Sequence, residues 1–550
     1  MRLINVSSLA VEEFFGEHVP SYGILSHTWG ADEMTLQEWG NRQAPSVQRK
    51  SGYQKIVEAC RLASAHGLDY VWADTNCIDK TSSAELSEAI NSMFGWYRDA
   101  RVCLVHLEDV VWTGGDVVAL FQPARWFTRG WTLQELLAPE CVEFYDRDWT
   151  FVTDKQRCIG ALSAVTGIPP RALRRAADVR LASTAQRMSW LARRTTTRRE
   201  DMAYCAFGLF GVHLPLLYGE GDAAFARLQE ELIRSSHDHT IFCWSWPDRV
   251  APPPAWMPAL APCAAAFADS GGYVQRPGPG IGKLPAEYAV TNVGIRIQLP
   301  ILCSSATTCV ALLEAQVEGS SAETCVAIAL QRPATIWTSE TVFWRARYPS
   351  SPIILPHGWA GAALDVRLAK PGAHPVDYGL DAEALTTLEE RNSGWPRFQE
   401  SKFALMILEC LDAGVPTRPL CIRDQEDGGV VFMKPTYTPS TWCHLLSLSR
   451  VDKDRGSDMV TVLVQQRQDM VRWGAGYGAG ALERQMEGSY GDGSKNTLLE
   501  MKDQVAVTVA NDLELPAATI GRLAGARIVP VLIRHTHHYK ERISDRIYAA

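Results

Sequence analysis

The sequence predicts an α/β domain built on a largely parallel sheet, followed by an α-helical extension and a mainly β C-terminal part. Within residues 1–150, short apolar runs alternate with segments whose apolar residues recur at helical spacing, which is typical of a parallel sheet with helices on both faces. Residues 151–246 keep helical spacing alone. After residue 288, short β-like runs are separated by Gly, Pro and Asp.

The elements of the first 150 residues follow from local patterns. Compact apolar runs predict the strands, and apolar residues three or four apart predict the helices between them. Ser82 and Glu85 stand as in a capping box, which marks the start of one helix. The predicted strands are Tyr22–Ser26, Asp69–Ala73, Val102–Leu107 and Cys141–Tyr145, and a further helix covers residues 51–66.

Three more parts are expected beyond the first domain. In residues 151–246, Thr184 is placed to cap a helix, and Ala223–Ile233 has a single apolar face. Residues 247–288 are rich in Pro and Gly and predict a linker. Residues 289–550 contain several short runs, Val290–Gln298 among them, which favour a mainly antiparallel sandwich or barrel.

Composition excludes several classes of function. The net charge of −8 over 550 residues argues against a chain-wide surface for nucleic acid or anionic lipid. The densest basic cluster, formed by Arg193, Arg194, Arg198 and Arg199, is either a solvated helix end and loop or a local phosphate site. No apolar run approaches 18 residues and the N-terminus has no signal-peptide pattern, so we expect a cytoplasmic protein without a membrane segment.

Metal-binding signals are weak throughout. The 14 cysteines contain no CxxC pair and are expected to be reduced and mostly buried. His535 and His537 have the spacing of ligands on one side of a strand, as His237 and His239 do, but no carboxylate or cysteine cluster accompanies either pair. We therefore expect neither a metal site nor a bound cofactor.

Two blocks place polar side chains directly after predicted strands. The first, Tyr22-Gly-Ile-Leu-Ser-His-Thr-Trp-Gly30, brings Ser26, His27 and Trp29 to the carboxyl edge of the sheet, where ligands bind in open parallel sheets. The second runs from Val71 to Asp79 and adds Asp74. The two carboxylates of this block, Asp74 and Asp79, are suited to binding a ribose hydroxyl or a cation, but they are equally suited to capping a helix. The alternative for the first block is that these polar residues simply begin a loop, without binding a ligand.

A third block, Ala124-Arg-Trp-Phe-Thr-Arg-Gly-Trp-Thr-Leu-Gln-Glu-Leu137, carries the residue on which an enzymatic interpretation depends. Gly130 permits a tight turn into a helix on which Glu135 shares a face with Trp131 and Thr132. A carboxyl group packed against an indole acquires a raised pKa through burial, as in many catalytic sites. The alternative is a salt bridge from Glu135 to Arg125 or Arg129.

The order and spacing of these three blocks resemble the heterokaryon-incompatibility (HET) domain of fungal vegetative-incompatibility proteins. The resemblance covers about residues 1–245, because Gln186–Ala192, Glu200–Cys205 and Leu216–Gly221 are similar to the helical region that follows the domain. Asn76 stands where a small residue or cysteine is expected. The nucleotide-binding domain and WD repeats that some relatives append are absent from the sequence pattern.

The resemblance implies a fold and a reaction. HET domains are regarded as distant relatives of TIR domains, so a TIR/flavodoxin-like parallel sheet is expected. Some TIR domains hydrolyse NAD⁺ with a glutamate in a Trp-Cys-x-x-Glu pattern, and Trp131-Thr-Leu-Gln-Glu135 is similar in spacing. NAD⁺ is then a candidate substrate, Glu135 the candidate catalytic residue, and the candidate substrate-binding residues are Ser26, His27, Trp29, Asp74 and Trp131.

The resemblance implies an incompatibility-type protein that triggers programmed cell death or a related self/non-self response. Its expected partners are a second copy of the chain or another incompatibility protein. Two alternatives stay open at this point. The domain is a self-associating signalling module without catalysis, or a HET-like protein recruited to a fungal secondary-metabolite pathway.

Overall fold

A computed structural model describes residues 1–247, 257–276, 288–303, 308–320, 324–331, 342–345, 352–356 and 363–371, together with eight strands between residues 403 and 535. The chain divides into two compact units. The first comprises Met1–Ser235 and Pro262–Gly271, and the second comprises Ser236–Ala261 and Gly272–Ala550. Each unit is described separately below.

The first unit contains one seven-stranded sheet in the order β2-β1-β4-β3-β5-β6-β7. Its strands are β1 (Arg2–Asn5), β2 (Val11–Glu13), β3 (Gly23–His27), β4 (Tyr70–Trp72), β5 (Val102–His106), β6 (Val142–Tyr145) and β7 (Phe151–Asp154). The central strands β4, β3, β5 and β6 are parallel, whereas β1, β2 and β7 are added antiparallel at the edges. The predicted parallel sheet is therefore confirmed for these four strands.

The first unit also contains all the α-helices of the described residues. They are α1 (Leu36–Trp39), α2 (Pro45–Gln48), α3 (Ser51–Ala65), α4 (Asp74–Cys77), α5 (Ser83–Asp99), α6 (Val117–Phe121), α7 (Thr132–Leu137), α8 (Ile159–Thr166), α9 (Pro170–Arg174), α10 (Ala176–Val179), α11 (Thr184–Leu191), α12 (Asp201–Tyr204), α13 (Phe207–Phe210) and α14 (Ala223–Ser235). Short 3-10 helices cover Gly16–His18, Arg125–Thr128 and Ala264–Phe267. None of these helices is long and apolar enough to cross a bilayer.

Helices α3 and α5 lie on opposite faces of the sheet. A Cβ added at Gly23 would lie 3.3 Å from Cβ of Ala63, so this face of β3 packs on α3. On the other face, the ring of Trp72 lies 5.8 Å from that of Tyr97 on α5. Successive side chains of a strand alternate between faces. Because Ile24 is opposite Trp72 in the register, Ser26 faces α5 and His27 faces α3.

Helix caps follow the predictions in part. Ser82 caps α5 by accepting a hydrogen bond from the backbone of Glu85, but the Glu85 carboxylate binds Asp79 and Arg2 instead of completing the capping box. Thr184 was predicted to cap α11, and this prediction is wrong. Ser183 is the N-cap and forms a full capping box with Gln186, because its side chain reaches the third helical amide.

The second unit is rich in β-structure, as predicted. One sheet has the strand order β11-β10-β16-β14-β13-β15, and a seventh strand, β9, also pairs with β10. These strands are β9 (Tyr288–Val290), β10 (Ile295–Cys303), β11 (Thr308–Leu313), β13 (Thr324–Gln331), β14 (Val342–Arg345), β15 (Ile353–Pro356) and β16 (Ala363–Leu368). Strands β8 (Tyr273–Gln275) and β12 (Ala315–Val317) form a separate pair. A 3-10 helix covers His239–Phe242.

The remaining strands form two further sheets. Six of them follow the order β18-β19-β17-β24-β23-β22, and β20 pairs with β21. They are β17 (Phe403–Leu411), β18 (Cys421–Asp424), β19 (Val430–Met433), β20 (Leu445–Arg450), β21 (Val460–Gln465), β22 (Asn496–Met501), β23 (Val505–Ala510) and β24 (Arg527–His535). Most strand pairs of this unit are antiparallel, and a sandwich or barrel stays a prediction.

One predicted strand of the second unit is a hairpin. The run Val290–Gln298 is interrupted by a turn, so that Val290 of β9 pairs with Ile295 of β10. Gly294 has φ +146, and a Cβ there would lie 2.5 Å from the carbonyl oxygen of Leu368. Apolar periodicity does not detect this turn, because only the missing side chain of Gly294 permits it.

The packing of α13 on α5 can be tested at one glycine. A Cβ at Gly208 would lie 2.1 Å from Cβ of Phe94, so we expect Gly208→Ala to reduce the free energy of unfolding by about 1–3 kcal/mol through overpacking. Gly160 lies in α8 with nothing within 4 Å of an added Cβ. Gly160→Ala should stabilise the protein slightly, by about 0.5–1 kcal/mol. Denaturant unfolding measures both, and equal effects would contradict the packing described.

Candidate functional site at the carboxyl edge of the parallel sheet

The polar centre of the first unit is a contact between Ser26, at the end of β3, and Glu135 on α7. The Ser26 hydroxyl donates to Oε2 of Glu135 and accepts a hydrogen bond from Nε1 of Trp126 at 2.8 Å. Ser26 is 0% exposed and Glu135 is 7% exposed. The first and third sequence blocks therefore meet in the interior, on the face of the sheet that carries α5.

Burial decides the charge of Glu135. Loss of solvation, with the nearby Asp74 carboxylate, raises its pKa to about 8, while hydrogen bonds from Ser26 and Tyr97 and the charge of Arg194 act in the opposite direction. At neutral pH the carboxyl group is therefore mostly protonated. Among the described residues Glu135 forms no salt bridge with Arg125 or Arg129, so the salt-bridge alternative is wrong. The guanidinium of Arg129 instead donates to Thr197.

Arg194 completes this buried network from the helical region after β7. Its Nη1 donates to the carbonyl of Arg129 at 2.7 Å and to Oγ1 of Thr132 at 2.9 Å. Burial lowers its pKa to about 10, which leaves the guanidinium charged at neutral pH. Of the two alternatives for the basic cluster, a solvated helix end and loop is wrong for Arg194, which is 6% exposed. The available signal was its spacing, since it lies three residues after the buried Leu191.

Asp74, Trp29 and Lys80 form a more accessible part of the edge. The Trp29 indole is 49% exposed, and its Nε1 donates to Oδ2 of Asp74 at 3.0 Å. Nζ of Lys80 lies 3.5 Å from the centre of the Trp29 ring and 3.5 Å from Oδ2 of Asp74. An aromatic surface, a carboxylate and an ammonium group are thus held together beside the buried pair.

Other residues of the second and third blocks have local structural contacts. Asp79 accepts hydrogen bonds from the backbone and hydroxyl of Thr81, so it forms a turn rather than part of the edge. Burial raises the pKa of Cys77 to about 12, which makes it a poor nucleophile. The Trp131 side chain forms a hydrogen bond with Asp201, so it contacts α12 instead of Ser26.

His27 belongs to a second polar cluster, on the face that carries α3. Nζ of Lys55 lies 2.6 Å from Oε1 of Glu33 and 3.8 Å from Oε2 of Glu108, while Nε2 of His27 lies 3.6 Å from Oε2 of Glu33. Burial opposes ionisation of Glu33. Attraction to His27 and Lys55 outweighs it and holds the pKa of Glu33 well below its usual range. Ser26 and His27 therefore share an edge but line opposite faces.

His106 ends β5 directly opposite His27 in the register. Its ring stacks on Trp149 with centroids 4.2 Å apart, and Nε2 lies 3.1 Å from the carbonyl of Arg147. Burial lowers the pKa of His106 to about 4, so the ring is neutral at physiological pH. No group of three or more potential ligands suited to a metal ion occurs in the described ranges, and His537 lies outside them.

Comparison with known proteins confirms the resemblance that the sequence blocks indicate. Residues 22–117 match the family model described as heterokaryon incompatibility protein (HET). Vegetative incompatibility protein HET-E-1 of Podospora anserina is 47% identical over 221 residues, which is 39% of this chain. That alignment covers only 16% of the relative's own length. No solved structure matches the chain.

The buried ion pair on the α3 face should contribute strongly to stability. Lys55→Met removes the nearest cation from Glu33, and Glu33→Gln leaves Lys55 with only the more distant Glu108, so we expect each to cost about 3–5 kcal/mol in unfolding free energy. The double variant should cost less than the sum of the two. The exposed pair Arg61–Glu58 on the same helix is the matched control, and breaking it should cost about 0–1 kcal/mol. Additive costs at Lys55 and Glu33 would show that the two residues are not paired.

The raised pKa of Glu135 makes stability depend on pH in a known direction. A carboxyl group whose pKa is higher in the folded state stabilises the fold at low pH, and this contribution is lost as pH rises towards its folded value, about 8. Between about pH 5 and pH 8, Glu135→Gln should therefore lose less stability than the wild type. Denaturant midpoints across this range measure it, and parallel curves for the two proteins would refute the buried neutral acid.

Proposed function

We propose that this chain, which matches the HET family model over residues 22–117, acts in vegetative incompatibility by hydrolysing NAD⁺ and so triggering programmed cell death or a related self/non-self response. The HET family match and the identity to a vegetative incompatibility protein support the incompatibility role. The buried Glu135 at the carboxyl edge of the parallel sheet is the observation that carries the enzymatic part. The proposal concerns the first unit and leaves the role of the second unit open.

The strand order supports a TIR/flavodoxin-like relationship. Strands β4, β3, β5 and β6 are parallel and adjacent, which corresponds to the order 2-1-3-4 of a doubly wound sheet. In that arrangement the order in which successive strands are added reverses between β3 and β5. Ligands bind at the carboxyl ends of the strands beside this topological switch point. Ser26 and His27 end β3, and His106 ends β5, so the candidate site lies at that position.

The arrangement suits cleavage of an N-glycosidic bond. Nicotinamide leaves with the bonding electron pair, positive charge develops on the ribose, and water adds to C1 and releases a proton, giving ADP-ribose. An ionised Glu135 stabilises that positive charge. Because the nicotinamide ring of NAD⁺ is itself cationic, its arrival beside Glu135 favours loss of the carboxyl proton. Ser26 must then release Oε2, so that the carboxylate can approach the ribose.

The surrounding residues supply binding rather than chemistry in this proposal. Trp29 offers an exposed indole for stacking against a flat ring, and Asp74 offers a carboxylate for a ribose hydroxyl. Lys80, beside both, suits a phosphate oxygen. His27 and Trp131 stay candidate binding residues, although their contacts are with Glu33 and Asp201 in this conformation.

The enzymatic proposal predicts that concentrated full-length protein releases nicotinamide from NAD⁺ and that Glu135→Gln abolishes the release. Because the ionised carboxylate is the active form, kcat/KM should rise with pH and level off above about 8. Glu88→Gln, an exposed change on α5, is the control and should leave turnover unchanged. Chromatographic detection of nicotinamide measures all three proteins. Full activity in Glu135→Gln, or no turnover even when the protein is clustered, would reject the proposal.

A self-associating signalling module without catalysis is the second candidate. Its support is the closed state of the site, since Ser26 and Glu135 are almost completely removed from solvent. In this case the pair acts only as a packing element. Cell death induced by the full-length chain would then persist in Glu135→Gln and disappear when self-association is blocked, whereas the enzymatic proposal requires its loss in Glu135→Gln.

A further inference from the structure

Arg194 is the most unusual charged residue in the interior of the first unit. It follows α11, is 6% exposed, and belongs to a segment joined to the third sequence block by main-chain hydrogen bonds. The amide of Thr195 donates to the carbonyl of Thr128 at 2.7 Å, and the amide of Gly130 donates to the carbonyl of Thr195 at 2.9 Å. A Cβ at Gly130 would lie 2.6 Å from Cγ2 of Thr196, so the two segments are in close contact.

Two sets of hydrogen bonds, joined through the residue Trp126, link Arg194 to Glu135. Nη1 of Arg194 donates to Oγ1 of Thr132, and that hydroxyl donates to the carbonyl of Trp126. Nε1 of Trp126 donates to Ser26, whose hydroxyl donates to Oε2 of Glu135. Thr132 is the first residue of α7 and Glu135 lies one turn later on the same helix. Arg194 is therefore linked to the Glu135 carboxyl group by two routes, one along the first turn of α7 and one through Trp126 and Ser26.

One nitrogen of the Arg194 guanidinium group is not used by this network. Nη2 is fully buried and has no hydrogen-bond acceptor among the residues that the structure describes. A buried cationic donor without an acceptor is costly, and an anion formed within its reach would relieve that cost. Glu135 is the carboxyl group whose charge acts on Arg194, and it is neutral in the closed state.

We propose that Arg194 is a positioning residue for Glu135, holding the first turn of α7 and supplying the counter-charge when the carboxyl group ionises. Its catalytic consequence rests on the proposed NAD⁺ hydrolysis, but its electrostatic effect does not. The helical region after β7 is then part of the functional site. Residues 22–117, which match the family model, contain neither Glu135 nor Arg194. A domain cut at residue 117 would therefore keep Ser26 but lose Trp126, Thr132, Glu135 and Arg194.

The test is an infrared titration of the full-length protein. The C=O stretch of protonated Glu135 is isolated as the difference between each variant and the same variant carrying Glu135→Gln. We expect Arg194→Met to move the titration midpoint upward by about one pH unit or more, because an opposite charge is lost from the interior. Arg193→Met, an exposed neighbour on the same segment, should leave the midpoint unchanged. A merely structural Arg194 would not move the midpoint.

A second variant keeps the test decisive if Arg194→Met does not fold. Arg194→Lys retains the charge but loses the planar pair of donors, so its midpoint should rise by a smaller amount. An unchanged midpoint in folded Arg194→Met, or in Arg194→Lys when the methionine variant is unfolded, overturns the proposal. If the wild type cleaves NAD⁺, the pH profile of kcat/KM in each Arg194 variant should shift by the same amount as the titration midpoint of Glu135. If it does not, the titration still decides the role of Arg194, so the two failures are distinguishable.

Discussion

The hydrogen bond between Ser26 and Glu135 is the interaction on which the organisation of the first unit depends. It joins the central strand β3 to α7, and the indole nitrogen of Trp126 donates a further hydrogen bond to Ser26. A carboxyl group with so little access to water stays neutral unless a positive charge is close. We propose Arg194 as that charge when Glu135 ionises; it comes from a part of the chain beyond the sheet and contacts Thr132 at the start of α7.

At the carboxyl edge of the sheet, Glu33 on one face is ionised and Glu135 on the other face is neutral. On the α3 face, Glu33 is ionised because Lys55 lies 2.6 Å from it. On the α5 face, Glu135 has no cation within salt-bridge distance among the described residues and holds its proton at neutral pH. The first arrangement gives stability, whereas the second holds a neutral acid, which in the proposed reaction ionises when cationic NAD⁺ binds.

The sequence predicts the central strands, because short apolar runs separated by helical patterns are typical of a parallel sheet. It makes Glu135 a candidate through an expected contact with the Trp131 indole, but that indole is hydrogen-bonded to Asp201. It does not predict the partner of Glu135, since contacts between residues 109 positions apart depend on tertiary packing. Arg194 is grouped with three nearby arginines as a solvated cluster or a phosphate site, because a run of like charges is usually exposed, and its burial depends on tertiary packing. The Val290–Gln298 hairpin was missed because one glycine determines it.

The most direct test of this account is a crystal structure of the full-length protein with NAD⁺ or a non-hydrolysable analogue. The account predicts that the nicotinamide-bearing ribose lies within hydrogen-bond distance of Glu135, with the contact to Ser26 broken and a guanidinium nitrogen of Arg194 turned towards the carboxylate. A nucleotide bound elsewhere on the molecule, with Ser26 and Glu135 still joined, would contradict it.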